Sequence, residues 1–235
     1  MIDLQVLTRT AILSFLSGGR KRIASPLVRE FAGLFEKPVG KFNADTHVIE
    51  RNYEVVRHLF PNEEVPAPID LVPFMKVTAE ERGLADAFIG ERKKPVAFSV
   101  GSRGRHKIWP ELYYARLIKR MVDAYQITPV FVGMKTERKN VEVIVQFLKG
   151  EYVNLVGRTD LRTLAAVLDK CELVIGNDSG IIHIAAALDK PVLGIFGATN
   201  PRWYRPYNKK SHFVYKKLKC SPCGIKPRCA SYECM

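Results

Sequence analysis

Val174–Pro206 reads VIGNDSGIIHIAAALDKPVLGIFGATNPRWYRP. Apolar runs at its start and around Val192–Phe196 bracket Asp178, Ser179, Gly180 and His183, and the stretch after Gly180 carries helical spacing. Strand, polar turn, helix and second strand make one βαβ step, the unit from which parallel sheets are built. In such a sheet the strand-to-helix turn lies at the carboxyl edge, where ligands bind. Asp178 or Ser179 is placed to cap the helix starting near Gly180 by accepting from its orphan N–H groups. His183 then sits about one turn further in, and the helix end offers partial positive charge suited to a diphosphate. A capping Asp beside a packed His accounts for the same residues, so spacing alone leaves both readings open.

Working outward, the second half of the chain repeats this step. Pro95–Val100, Thr128–Val132, Tyr152–Val156, Leu173–Ile175 and Val192–Phe196 read as strands. Pro110–Ala124, Lys135–Leu148, Asp160–Asp169 and Gly180–Leu188 read as the helices between them. The alternation predicts an α/β doubly wound parallel sheet. The first half is less regular. Ile2-Asp3-Leu4 looks like the end of a buried strand, followed by a helix over Val6–Leu16. Arg22–Ser25 reads as a short strand, Pro26–Phe35 as a helical segment and His47–Phe60 as an amphipathic helix. Pro61–Pro73 holds four prolines and reads as an extended crossing. Thr78, with Glu81 three residues on, opens a helix to Ile89 through a capping box. The domain boundary is expected near Gly90–Lys94, which divides the chain into 1–92 and 93–235.

The chain has 235 residues, is 47% hydrophobic and carries 37 Lys and Arg against 24 Asp and Glu, a net charge of +13. Such a composition fits a folded globular protein rather than a disordered one. Apolar runs such as Ala11–Leu16 are far too short to span a bilayer. Nothing after Met1 resembles a signal peptide, so a cytoplasmic protein is expected. Nine of the basic residues lie in 200–235 against one acid, Glu233. That field attracts polyanions, whether nucleic acid, anionic lipid or phosphorylated small molecules. A solvated basic face is the alternative.

Three further clusters carry potential chemistry. SVGSRGRHKIWP, Ser99–Pro110, runs from a strand through Gly101-Ser102-Arg103-Gly104 to Lys107 and a helix start. Glycines let backbone amides approach an anion, and Ser102, Arg103 and Lys107 add donors and charge. The Walker spacing is absent. Glu137, after the second strand of this half, could accept from a ribose or base edge, or merely cap the next helix. Cys220, Cys223, Cys229 and Cys234 could hold a structural zinc, although the spacing is tighter than in the usual ribbon. Cys171 heads a strand and reads as packed.

Taken together, these residues resemble glycosyltransferase family 9, the ADP-heptose:lipopolysaccharide heptosyltransferases. The resemblance rests on DSGxxH at Asp178–His183, AALDKP at Ala186–Pro191, FGATNP at Phe196–Pro201 and KxWP at Lys107–Pro110. IDLQ at Ile2–Gln5 and the CSPC…ECM tail extend it over essentially the whole chain. It implies a GT-B type architecture of two Rossmann-like domains, the first incomplete and acceptor-side, the second binding the nucleotide sugar. By the same resemblance, Ser102 and Arg103 contact phosphate, Lys107 neutralises the diphosphate and Glu137 contacts the nucleoside. Asp178, Ser179, Gly180 and His183 then line the diphosphate and sugar.

The implied reaction is inverting transfer of heptose from an ADP-heptose donor to the lipopolysaccharide inner core, with no required metal. The implied acceptor is carried on lipid, so peripheral contact with the anionic cytoplasmic face of the inner membrane is expected. The family's likely general base belongs to a segment that would precede Met1, and its closing helix would follow Met235. The resemblance therefore leads us to expect a chain that lacks both ends, one that binds the nucleotide but is weakly active or inactive in transfer. The family's usual glycine after D-x-Q is Val6 here. Three rival readings remain: another GT-B enzyme with a different nucleotide sugar, a basic nucleic-acid-binding protein, and a zinc-stabilised interaction module. No recognised nucleic-acid motif appears.

Overall fold

A computed structural model of the chain describes residues 1–40, 43, 45–224, 229 and 231–235. They divide into two compact units, Met1–Leu71 and Val72–Met235.

The first unit contains β1 (Ile2–Asp3), α1 (Thr8–Leu16), β2 (Ile23–Ala24), β3 (Lys37–Pro38) and α2 (Val48–Leu59). Its strands lie side by side in the order β1-β2-β3, all parallel, with Ile2 opposite Ile23 and Ile23 opposite Lys37. β3 was not expected from the sequence, and the helical segment expected over Pro26–Phe35 reduces to one 3₁₀ turn at Ala32–Leu34. The proline-rich crossing likewise holds a 3₁₀ turn, Pro68–Leu71. Asp3 organises the turn after β1: Oδ1 accepts from the amides of Gln5 (2.8 Å) and Val6 (3.1 Å), and Oδ2 from Thr10 Oγ1. Val6 is held there at φ +53° with 1% exposure. A β-branched residue is a true outlier in that region, and burial with Ala11, Ala24 and Ala32 keeps it there.

The second unit begins with α3 (Ala79–Ile89), opened by the expected capping box: Thr78 N donates to Glu81 Oε2 at 2.8 Å and Glu81 N to Thr78 Oγ1 at 3.3 Å. After it come β4 (Pro95–Ser99), α4 (Glu111–Tyr125), β5 (Thr128–Phe131), α5 (Arg138–Val145), β6 (Val153–Asn154), α6 (Leu161–Lys170), β7 (Leu173–Asn177), α7 (Gly180–Ala187), β8 (Val192–Phe196), α8 (Pro201–Tyr204) and β9 (Ser211–Tyr215). Ala85 and Ile89 of α3 bury completely in a core shared with Leu164 and Leu168 of α6. Arg162 of α6 reaches Glu81 at 2.5 Å. The boundary expected near Gly90–Lys94 therefore moves to Leu71/Val72. The capping box and apolar spacing identify the helix but not the core it joins.

The six strands are all parallel and ordered β6-β5-β4-β7-β8-β9. Counting from β4 as the first, this is the 3-2-1-4-5-6 order of a Rossmann sheet. Side chains alternate along each strand. Val96 and Phe98 of β4 pack with Tyr114 and Ile118 of α4 and Ile144 of α5 on one face, and Ala97 packs with α6 and α7 on the other. β9 was missed because it alternates poorly: it is an edge strand with Phe213 and Val214 exposed. The order reverses direction between β4 and β7, and ligands bind outside the carboxyl ends of strands at such a switch point.

Candidate functional site

The loops that leave β4 and β7 meet at that switch point. Ser102 Oγ, from the β4 loop, donates to the Asp178 carbonyl at 2.9 Å, and Lys107 Nζ donates to Asp178 Oδ2 at 2.7 Å. Thr199 Oγ1, from the loop after β8, donates to the same Oδ2 at 2.6 Å. The carboxylate of Asp178 is only 10% exposed, so it depends on these two donors for the solvation it lost on burial.

Neither Asp178 nor Ser179 caps α7, which corrects the sequence expectation. The Asp178 carboxylate is drawn to Lys107 and Thr199, and the Ser179 hydroxyl lies 3.3 Å from Ser99 Oγ. Ser179 is the residue at the N-cap position and its side chain makes no cap bond, and among the described residues no side chain accepts from the first turn of α7. Those amides thus remain available to an incoming anion, reinforced by the helix dipole.

Glu137 ends a 3₁₀ turn, Lys135–Glu137, and its Oε2 accepts from the Met134 amide at 3.1 Å. Its carboxyl group lies against Gly101 and Gly133: a Cβ at either position would come within 2.0 Å of it. The glycines after β4 and β5 therefore make room for an acid. Burial pushes the Glu137 carboxyl up, and the Met134 amide opposes that shift.

Ser102, Arg103, Lys107, Glu137, Asp178, Ser179, Gly180 and His183 all line one cavity of about 720 Å³. The sequence reading did not name Thr159, Leu161, Leu164 and Ile184, which add apolar wall to the same cavity, or Gly157. A glycine just past a parallel strand was the available signal for Gly133 and Gly157. Thr199 carried no signal beyond its place in the FGATNP motif.

The four tail thiols, for which a structural zinc is a possibility, differ in exposure. Cys220 and Cys223 are exposed, Cys229 is half-buried and Cys234 is buried. Among the described residues, no three His, Cys, Asp or Glu side chains are placed to hold a metal ion. Cys234 and Met235 pack on Gly197, and the Gly224 amide donates to the Ala198 carbonyl at 2.7 Å. The tail thus braces the loop that presents Thr199. Cys171 is buried, as expected.

His183 lies with Nε2 4.0 Å from Asp178 Oδ1. Loss of water around the ring holds its imidazole below the ordinary value, Asp178 pulls the other way and Lys107 adds to the depression. The side chain is still 43% exposed, so solvent keeps the effect on stability small. An unfolded imidazole titrates near about pH 6.5, so on acidification the unfolded state takes up this proton first. The contribution of neutral His183 is complete above that pH and is lost as pH falls through the lower folded value. Thermal melts from pH 7 to 5 should therefore fall less steeply for His183→Gln than for the unaltered chain. Parallel slopes would refute the assignment.

Among the described residues no helix is long and apolar enough to cross a membrane. The family model for glycosyltransferase family 9 (heptosyltransferase) matches residues 1–231. Lipopolysaccharide heptosyltransferase 2 of Salmonella typhimurium is 28% identical over 159 residues, covering 65% of this chain and 45% of that protein. The chain spans about half the length of the curated relatives it matches. The glycosyltransferase family 9 structure from Veillonella parvula superposes with TM-score 0.74 at 20% identity, over 91% of this chain and 61% of that one. E. coli heptosyltransferase WaaC with ADP superposes with TM-score 0.68 at 22% identity, over 90% and 64%. At such identities the likeness carries the fold, α/β of the GT-B type with two Rossmann-like units. The chain belongs to glycosyltransferase family 9, the heptosyltransferase family.

Proposed function

We propose that the cavity at the β4/β7 switch point binds an ADP-linked heptose, and that the protein transfers this sugar with inversion to the lipopolysaccharide inner core. The observation that carries this reading is the convergence of Lys107, Ser102 and the uncapped first turn of α7 on one hollow. A diphosphate leaving group develops negative charge as the glycosidic bond breaks, and preorganised donors stabilise it. Family membership and the relative solved with ADP favour adenine among the bases.

The proton of the acceptor hydroxyl needs a general base. The carboxylates lining the cavity are engaged elsewhere. Asp178 accepts from Lys107 and Thr199, Glu137 from the Met134 amide, and Asp160 caps α6 by accepting from the Thr163 amide at 2.7 Å. We assign the base to none of them. The acceptor is a core sugar on a lipid, and the +13 charge suits peripheral contact with the anionic cytoplasmic face of the inner membrane.

Calorimetric titration with ADP, UDP and CDP tests the donor assignment. Saturable binding with ADP preferred by tenfold or more supports it. A preference for UDP would assign the site to a different nucleotide sugar, and no binding to any of the three would refute the nucleotide site.

A further inference from the structure

Asn177 ends β7 one residue before Asp178 and is 0% exposed. Its Oδ1 accepts from the Trp109 amide at 3.0 Å and from the Tyr114 hydroxyl at 3.0 Å. Its Nδ2 donates to the Val100 carbonyl at 2.8 Å and the Gly101 carbonyl at 3.4 Å. One side-chain amide thus holds both ends of the β4 loop, at its entry (Val100, Gly101) and at its exit (Trp109). That loop carries Ser102, Arg103 and Lys107.

The chemistry specifies asparagine. Two donors face the oxygen and two carbonyls face the nitrogen, so only a group with an acceptor and a donor on one planar fork satisfies all four. An Asp of the same shape would press a second oxygen against two carbonyls, and an Ala would leave buried amide and carbonyl groups unpaired. The position matters as much. The β4–β7 register runs to Ser99 opposite Gly176, and just beyond it the Asn177 side chain takes over the role of ladder hydrogen bonds. Burial pushes the Tyr114 hydroxyl far above the ordinary phenol range, so it remains a donor.

We infer that Asn177 is a positioning residue for the donor site, acting through the β4 loop to keep Lys107 aimed at Asp178 and the diphosphate. The inference rests on the proposed ADP-sugar site for its functional half; the ordering of the loop stands apart from it.

Two measurements test it. The first is amide hydrogen exchange without nucleotide. Asn177→Ala should speed exchange across 101–109 by at least tenfold while leaving 161–170 within about twofold. Unchanged protection of the loop would overturn the inference, whatever binds in the cavity. The second is an ADP titration of the chain as it is, Asn177→Ala, Lys107→Ala and the double variant. Asn177→Ala should weaken ADP at least tenfold, and in the Lys107→Ala background it should cost no more than about twofold further. Losses that multiply in the double variant would mean that Asn177 acts independently of Lys107, against the inference. If Asn177→Ala does not fold, Tyr114→Phe removes one donor to the amide oxygen and carries both measurements. It should speed loop exchange and weaken ADP two- to fivefold, and have no effect on ADP once Lys107 is alanine. Absence of ADP binding by the unaltered chain would count against the nucleotide reading alone, since loop exchange still decides the role of Asn177.

Discussion

Lys107→Ala should weaken ADP binding by roughly 30- to 150-fold, an effect of about 2–3 kcal/mol for removing a charge-assisted hydrogen bond from a partly buried site. The Lys107 side chain is 22% exposed and that of its partner Asp178 10%, so little bulk water screens either charge. The substitution acts twice. It removes the cation that would face the diphosphate, and among the described residues it leaves Asp178 with Thr199 as its remaining side-chain donor beside an incoming diphosphate. Titration calorimetry at fixed ionic strength measures the effect, with circular dichroism to confirm that the fold survives. A change below threefold would remove Lys107 from the site and with it the central interaction of the proposed reaction.

Gly157→Ala should be the most damaging small substitution around the cavity, destabilising the second unit by roughly 2–5 kcal/mol. Gly157 sits at φ +68°, and a Cβ there would meet the Lys135 backbone Cα at 2.7 Å. The left-handed conformation costs an alanine about 1–2 kcal/mol, and the close approach adds a cost of the order seen for overpacked sites, about 1–3 kcal/mol. The neighbour is main chain, which cannot swing aside as a side-chain tip could. The Gly157 amide also donates to the Gly133 carbonyl at 2.8 Å, so a shift carries the β5 loop and Glu137 with it. A melting-temperature drop of roughly 5–15 °C is expected, together with weaker ADP binding. Gly180→Ala is the control: its added Cβ meets nothing within 4 Å and its φ is ordinary, so its melting temperature should barely change. Equal effects at the two positions would contradict the steric argument.

Much of the second unit was readable from residue order. Strands β4, β5, β7 and β8 stand out because each is a short apolar run between turn residues, and α3 and α6 because their N-caps are local. Thr78 and Glu81, and Asp160 and Thr163, are three residues apart and meet through geometry that any helix start imposes. The eight residues that line the cavity were also readable, as loops that follow parallel strands and as pieces of a family motif. In the first unit the strands are two residues long, too short for alternation to register, and β3 went unseen.

Local pattern failed wherever a side chain had to choose between a near partner and a distant one. Asp178 has the α7 amides beside it and takes instead the ammonium of Lys107, 71 residues away, and the hydroxyl of Thr199, 21 residues on. A carboxylate gains more from a cationic ammonium than from neutral backbone amides, but only the packing of β4 against β7 brings that lysine within reach. The same holds for α3, whose apolar face could serve any core until Ala85 and Ile89 meet α6. Periodicity, caps and glycine turns are short-range effects written in consecutive residues, and they determined the parallel α/β layout and the edge where a ligand sits. Which charges pair, which helix joins which core and which loop is held by Asn177 depend on residues far apart in the chain, and those meet only once the sheet has assembled.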